Sequence, residues 1–329
     1  MRVLVTGGAG YVGSVLIRKL LNKKHDVIVF DTLDFGNESI ISLKDIELYI
    51  GDFVGVGRKT LQRTDAVIHL AGVSTEPTSQ YNPRQTDLVN HINSVELAKK
   101  AKEAGVGRFI YASSCSIYFT FDTPLNPPLS KEMDAVNPIS AYSLSKRAAE
   151  VGIMELADNH FQPTILRKGT VYGVSPRMRY DLILNSFVKD LVTKGKIKVH
   201  CNGEIYRPIL DIDEAADAYI SSIELPIADV GGKIFNVVSR NIDAKSLART
   251  AMGAVEGDYG ITGQIDIEPV GIARNYMADF TEYKKVFKPT KRSLEEAIQD
   301  LEENVLINRM NVDKTIYYND RHYAETRKR

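Results

Sequence analysis

The chain has 329 residues, 43% of them hydrophobic, with 42 Lys and Arg against 42 Asp and Glu. That length and apolar content exclude a short disulfide scaffold and suit one large α/β unit or two intimately joined domains. The balanced charge offers no global field to recommend nucleic acid or an anionic membrane, so a small-molecule partner is expected.

Cys115 and Cys201 lie far apart with no CxxC spacing, which points to neither a zinc site nor a disulfide framework and fits a reducing, cytoplasmic setting without metal. From the N-terminus, Arg2 to Val5 reads as a strand that breaks at Gly7-Gly8. No apolar run there is long enough for a signal peptide or a membrane span, so the protein is expected to be soluble and unprocessed. Short apolar and amphipathic runs then alternate: Val3–Val5, Val12–Asn22, Val27–Phe30, Leu48–Ile50, Val67–Leu70, Ser94–Ala104 and Phe109–Ala112. Such alternation is the signature of βαβ units and a parallel sheet. Past Gly173 the rhythm breaks. Leu182–Val192 and Asp213–Ser222 read as helices, Ile197–Val199, Ile209–Ile212 and Ile234–Val238 as strands, and Leu294–Val305 as a final helix. The polar stretch Asn311 to Arg329 reads as a loose tail or an oligomer contact.

The first strand runs into Gly7, Gly10 and Gly13, and a helix follows at once. Glycines there let the backbone approach a pyrophosphate, while the helix N-terminus offers free N–H groups with partial positive charge. Glycines also serve ordinary tight turns. Asp31, which ends the second apolar run roughly 20 residues on, favours the phosphate reading, because a carboxylate there can accept hydrogen bonds from the adenosine ribose, a simple turn residue being the alternative. It would repel a 2′-phosphate, and no basic residue follows at Thr32-Leu33-Asp34. NAD rather than NADP is the expected cofactor.

Ala141 to Lys146 opens a helix after Pro138, which puts Tyr142 and Lys146 on one face. A phenol is a poor base at neutral pH, but a nearby ammonium and a nicotinamide cation both favour the phenolate. Tyr142 can then exchange a proton with a hydroxyl while hydride moves; a surface Tyr–Lys pair is the alternative. The apolar run Phe109–Ala112 ends in Ser113-Ser114-Cys115-Ser116, at the end of the sheet where α/β folds place ligands. A serine there either completes the relay or caps its own turn.

These pieces stand in the order of a known family. The chain resembles the extended short-chain dehydrogenase/reductases, especially their nucleotide-sugar epimerases, from Met1 to about Val305. The matching residues are Thr6-Gly7-Gly8-Ala9-Gly10-Tyr11-Val12-Gly13-Ser14, Gly51-Asp52, His69-Leu70-Ala71-Gly72, Ser113 to Tyr118, Tyr142 to Lys146, Leu166-Arg167 with Val171-Tyr172-Gly173, and Arg207 to Ala218. The resemblance implies a Rossmann-type doubly wound parallel sheet with a smaller α/β substrate-binding domain. Residues 1–173 and about 209–227 would bind NAD, about 174–208 and 228–292 would hold substrate, 293–310 would be the final helix and 311–329 the polar tail. It implies Ser114, Tyr142 and Lys146 as catalytic. Cofactor contacts would come from Gly7, Gly10, Tyr11, Val12, Gly13, Asp31, Asp52, Phe53, Leu70, Ala71 and Gly72 as well as Tyr142 and Lys146. Substrate contacts would come from Ser114, Ser116, Thr170, Arg177, Arg207 and Arg274. The two last would grip a diphosphate, which a guanidinium fork suits, with a surface ion pair as the alternative for either.

The resemblance also narrows the reaction. Dehydratases of the family carry an Asp-Glu pair after the catalytic hydroxyl, where this chain has Cys115 and Ser116, so an obvious general acid for loss of water is lacking. The 3,5-epimerase-reductases place a cysteine one residue further along. What remains is oxidation at sugar C4, rotation of the 4-keto sugar and return of hydride to the other face, acting on a nucleotide-diphosphate sugar in a homodimer. A 4-dehydrogenase or 4-keto reductase would use the same residues, and a non-catalytic NAD sensor would need only the glycine turn. Thr170, Phe119 and Asp211 replace the usual asparagine, glycine and histidine, and Ser175 to Tyr180 is unusually basic. Arg177 or Arg179 there reads either as a recognition element for a carboxylated or phosphorylated sugar or as part of an exposed, solvated loop. Calorimetry is expected to show NAD binding much more tightly than NADP; equal affinities would contradict the role given to Asp31.

Overall fold

The structure is a computed structural model that describes residues 1–119, 124–259, 263–269, 274–289 and 292–326. Its centre is a seven-stranded, all-parallel sheet. In chain order the strands and helices that build it are β1 (Arg2–Thr6), α1 (Tyr11–Asn22), β2 (Asp26–Asp31), β3 (Ile46–Ile50), β4 (Ala66–His69), α2 (Asn93–Glu103), β5 (Arg108–Ser114), α3 (Ala141–Met154) and β6 (Thr164–Lys168). Then follow β7 (Thr170–Tyr172), α4 (Ile183–Lys194), β8 (Tyr206–Asp211), α5 (Ile212–Glu224), β9 (Ile234–Val237), β10 (Arg240–Asp243), α6 (Ala244–Tyr259), α7 (Leu294–Ile307) and α8 (Asn319–Thr326). The large sheet runs β9-β6-β5-β4-β1-β2-β3.

Central strands are apolar on both faces because both are covered. Val3 and Val5 join one core with Leu16, Ile17 and Leu20 of α1 and Ile220 of α5. Leu4, between them, points the other way into a second core with Leu97 and Ala101 of α2 and Ile153 of α3. All three β1 residues have no exposed surface.

The strands and helices expected from the sequence are present with small shifts of their ends. Two assignments change. Ile234–Val237 pairs with β6 and so belongs to the large sheet, not to the substrate region in which 228–292 was placed. Asn311 onward is no loose tail: Val312, Tyr318 and Asn319 are buried, and α8 packs on the short helix Glu76–Tyr81, with the Tyr323 and Tyr81 rings 6.2 Å apart. Polar residues could be read as a tail because partners that bury them lie between 129 and 245 residues away. Residues 327–329 and Ala273 lie outside the described residues. A three-stranded sheet, β10-β8-β7, stands beside the large one.

Arg167 of β6 and Glu150 of α3 form a fully buried ion pair, Nε to Oε1 at 2.9 Å and Nη2 to Oε2 at 2.8 Å. Arg167 Nη1 donates further to the Tyr118 hydroxyl and the Glu132 carbonyl, and the Ser113 hydroxyl donates to Glu150. Breaking such a pair from one side leaves a charge stranded in a dry interior. Arg167→Met is therefore expected to cost about 3–5 kcal/mol in urea unfolding, and adding Glu150→Leu to recover most of it. An unchanged midpoint in the single variant would show that the pair does not hold these elements together.

Candidate functional site

The carboxyl ends of the parallel strands open onto one cavity of about 900 Å³, at the upper end of small-molecule sites. At one end lies the glycine turn. Gly7 has φ +72°, and a Cβ on it would meet the Ala71 backbone nitrogen at 2.7 Å. A Cβ on Gly13 would stand 2.3 Å from the Gly7 carbonyl. The turn is thus packed against its own backbone, and its surface side stays bare. Among the described residues no side chain caps the first turn of α1 at Gly10, so its N–H groups are left for an anionic ligand. Asp31 accepts from Ala9 N at 2.9 Å and Leu33 N at 2.8 Å, and burial pushes its carboxyl above the usual range. These features fit a dinucleotide.

Gly7, Gly10, Tyr11, Val12, Gly13, Asp31, Asp52, Phe53, Leu70, Ala71 and Gly72 all line the cavity. The Tyr11 hydroxyl is already engaged, donating to the Gly173 carbonyl at 2.7 Å and accepting from Asn185 at 2.9 Å. Asp52 caps a turn at Val54, and Phe53 packs edge-on against His69. His69 is a neutral strut between Thr6 at 2.6 Å and Ser94 at 2.8 Å, pushed down to about 3 by burial and then by Lys146.

Tyr142 and Lys146 sit one turn apart on α3, whose start is fixed by a Ser140–Ser143 capping box. Ser114, at the end of β5, lines the cavity with Tyr142. Lys146 Nζ donates to the Ala112 carbonyl at 2.9 Å. The expected lowering of the phenol does not hold in this state: burial outweighs the lowering influence of the nearby Ser114 hydroxyl and pushes Tyr142 up to about 12. Burial and the nearby Lys168 ammonium push Lys146 down to about 7. Cys115 faces away, its thiol donating to the Arg167 carbonyl at 3.1 Å and held well above its ordinary range by burial. Ser116 Oγ is buried without a hydrogen-bond partner among the described residues and lines the cavity, as does Thr170.

The arginines divide. Arg207 lies over the Tyr276 ring, 5.4 Å from its centre, donates to the Tyr206 carbonyl and is pushed down to about 10 by burial. Arg274 lies 3.6 Å from Glu76. Both reach the cavity. Arg177 and Arg179, for which a solvated loop was one reading and sugar recognition the other, are buried and line the cavity. Arg177 stacks on Phe35 at 4.0 Å and donates to Asn319 Oδ1 at 2.6 Å, while Arg179 pairs with Asp181. The solvated reading fails because the ring and the C-terminal helix that bury Arg177 are distant in the chain.

Four groups in the cavity went unread in the sequence: Glu76, Lys168, Tyr276 and the α8 face made by Asn319, His322 and Tyr323. None carries a local signal, since each is placed by packing alone. α8 lies over the Asp31 end, where His322 Nε2 donates to the Asp34 carbonyl at 2.6 Å and its ring rests on Phe35 at 4.8 Å.

A family model described as NAD dependent epimerase/dehydratase family matches residues 3–237. UDP-glucose 4-epimerase of Lactobacillus helveticus is 35% identical over 138 residues, 39% of this chain and 42% of that protein. UDP-glucuronic acid decarboxylase 1 of Danio rerio is 32% identical over 123 residues, 36% of this chain and 28% of that one. The matches thus span less than half the length of these curated relatives. In fold, the chain is similar to UDP-N-acetylglucosamine 4-epimerase of Methanobrevibacter ruminantium in complex with UDP-N-acetylmuramic acid. That likeness has a TM-score of 0.81 and 24% identity over 93% of this chain and 98% of that one. It is also similar to UDP-glucose 4-epimerase of Thermotoga maritima with UDP-glucose, with a TM-score of 0.80 and 23% identity over 94% and 100%.

Asn319 ties α8 to the body through Arg177 and through Ser74 Oγ at 2.8 Å. Asn319→Ala removes two hydrogen bonds, one to a charge, together about 2–4 kcal/mol of the hold on α8. The NAD dissociation constant is expected to rise by at least about 5-fold in calorimetry. An unchanged value would show that α8 covers the cavity without holding its ligand.

Proposed function

The chain belongs to the NAD-dependent epimerase/dehydratase family, with NAD as its cofactor, and on that premise we propose that it epimerises a nucleotide-diphosphate sugar at C4 through a transient 4-keto sugar. The observation that carries this reading is that Ser114, Tyr142 and Lys146 line the same cavity, with Lys146 one turn along α3 and its Nζ fixed on the Ala112 carbonyl. Bound NAD supplies the hydride acceptor and donor. Tyr142 takes the proton of the C4 hydroxyl as the C4–H bond is lost and gives it back when hydride returns to the opposite face of the ring. Ser114 holds the same oxygen. Lys146 supplies positive charge beside the phenol, and a fixed cation favours its ionised form. Arg207 and Arg274 hold the diphosphate, leaving the sugar free to turn about it. We further propose a cytoplasmic homodimer: among the described residues neither cysteine is in a disulfide, and Leu88, Ile92, Leu144 and Val151 leave apolar surface exposed along the α3 side. Among the described residues no helix is long and apolar enough to cross a membrane.

A second reading has one observation in its favour. Positions 115 and 116 offer no acid for dehydration, but Glu76 brings a carboxylate to the cavity from another segment, and its charge bears on Tyr142. Its contact with Arg274 gives it a different use. Mass spectrometry of a nucleotide-sugar panel separates the two, since an epimer keeps the substrate mass and elimination yields a product lighter by one water.

Tyr142→Phe keeps the ring and its packing and deletes the proton-transferring atom. Turnover is expected to fall at least about 100-fold with NAD binding retained. In Lys146→Met the loss of a cation raises the phenol's pKa, so the residual rate moves to higher pH. Near-normal turnover in Tyr142→Phe, read in pH–rate profiles, would place the base elsewhere.

A further inference from the structure

One charged group in the cavity has no part in the reaction above. Lys168 ends β6, and the strand register sets it directly beside Ser114 at the end of β5. Side chains alternate across the sheet. Ser113 and Arg167 both turn to Glu150 on the α3 side, so Ser114 and Lys168 turn together to the other face, where both line the cavity. Among the described residues Lys168 makes no hydrogen bond and no ion pair.

Its neighbours make the isolation worse. Lys146 lies near enough for the Lys168 ammonium to oppose its charge, and the Arg179 guanidinium presses on Lys168 in turn. Burial first and Arg179 second hold Lys168 down to about 8. The carboxylates near these cations are committed: Asp181 is bound to Arg179 at 2.6 Å, and Glu150 is buried behind the sheet on Arg167. Lys168 is half-buried, and its side chain reaches the cavity with no protein acceptor among the described residues. This wall of the cavity therefore offers an uncommitted cation to an anionic ligand.

The diphosphate has other partners. Arg207 is grouped with Tyr276, Arg274 and Glu76, whereas Lys168 is grouped with Arg179 and Lys146. Tyr142 lines the same cavity and feels charges from both groups, Glu76 from the first and Arg179 from the second. A sugar held by its diphosphate at Arg207, with its reacting carbon at Tyr142, presents its far ring substituent to Lys168.

We propose that Lys168, backed by Arg179, is a carboxylate subsite and that the preferred substrate is a nucleotide-activated uronic acid. This rests on the reading of the cavity as a nucleotide-sugar site. Lysine suits the role because its single point charge can follow the carboxylate as the ring turns.

The test is calorimetry with UDP-glucuronate and UDP-glucose on NAD-loaded protein carrying Tyr142→Phe, which stops turnover, with Lys168 intact, Lys168→Met or Lys168→Arg. Intact Lys168 is expected to favour UDP-glucuronate by at least about 10-fold, the equivalent of one charge-assisted hydrogen bond. Lys168→Met should bring the preference to within about 2-fold of unity, and Lys168→Arg should keep most of it. Equal loss of both sugars in Lys168→Met, or weakened NAD binding instead, would overturn the subsite and assign the ammonium to the diphosphate or the cofactor. If neither nucleotide sugar binds with Lys168 intact, the nucleotide-sugar reading itself fails and takes the subsite with it.

Discussion

The buried Arg167–Glu150 pair is the contact on which the rest of the cavity depends. Arg167 belongs to β6, Glu150 to α3, and Ser113 of β5 donates to the same carboxylate. Three elements are thereby locked in one register. Because strand residues alternate between faces and α3 repeats every turn, each locked residue has a neighbour whose direction is then set. Ser114 follows Ser113, Lys168 follows Arg167, and Lys146 lies one turn before Glu150. The polar cluster behind the sheet thus aims the polar groups in front of it.

Such a pair is not an efficient way to gain stability, because desolvating both charges offsets much of their attraction. Its geometry is saturated: Glu150 also receives Arg147, and Arg167 reaches Tyr118 and Glu132. Saturation holds direction better than apolar packing, which tolerates rotation and slippage. A proton-transferring phenol needs that directional hold more than it needs a few further kcal/mol.

The neutral overall charge, 42 against 42, is repeated in the cavity, whose lining mixes Lys146, Lys168, Arg207 and Arg274 with Asp31, Asp52, Glu76 and Asp181. What differs is how the charges are engaged. Glu76 lies by Arg274 and Asp181 is bound to Arg179, whereas the Lys168 side chain has no ion pair among the described residues. At the glycine turn, backbone N–H groups are offered in place of side-chain charge, and α8 covers that end through His322 on the Asp34 carbonyl and the Phe35 ring and through Asn319 on Arg177.

Much of this was legible along the chain. The alternation of apolar runs, the Gly7-Gly10-Gly13 turn, Asp31 at a strand end and the Tyr142–Lys146 spacing are local signals. Each follows from the few residues around it, because backbone sterics, helix periodicity and a strand's apolar faces are local physics. The parallel sheet, and many of the residues that line the cavity at its carboxyl ends, could therefore be read directly. Folding alone decided which charges are left over. Arg177 and Arg179 could be read as solvated or as a recognition element and are buried, Arg177 by a ring and a helix from distant segments; the tail could be read as loose or as an oligomer contact and packs as a helix on its own chain; Ile234–Val237 joined the large sheet and not the substrate region. Glu76 and Lys168 looked like any surface acid or base. Whether a charge is solvated, paired or stranded depends on what the chain brings to it across long separations, and no pattern of neighbours in sequence carries that information.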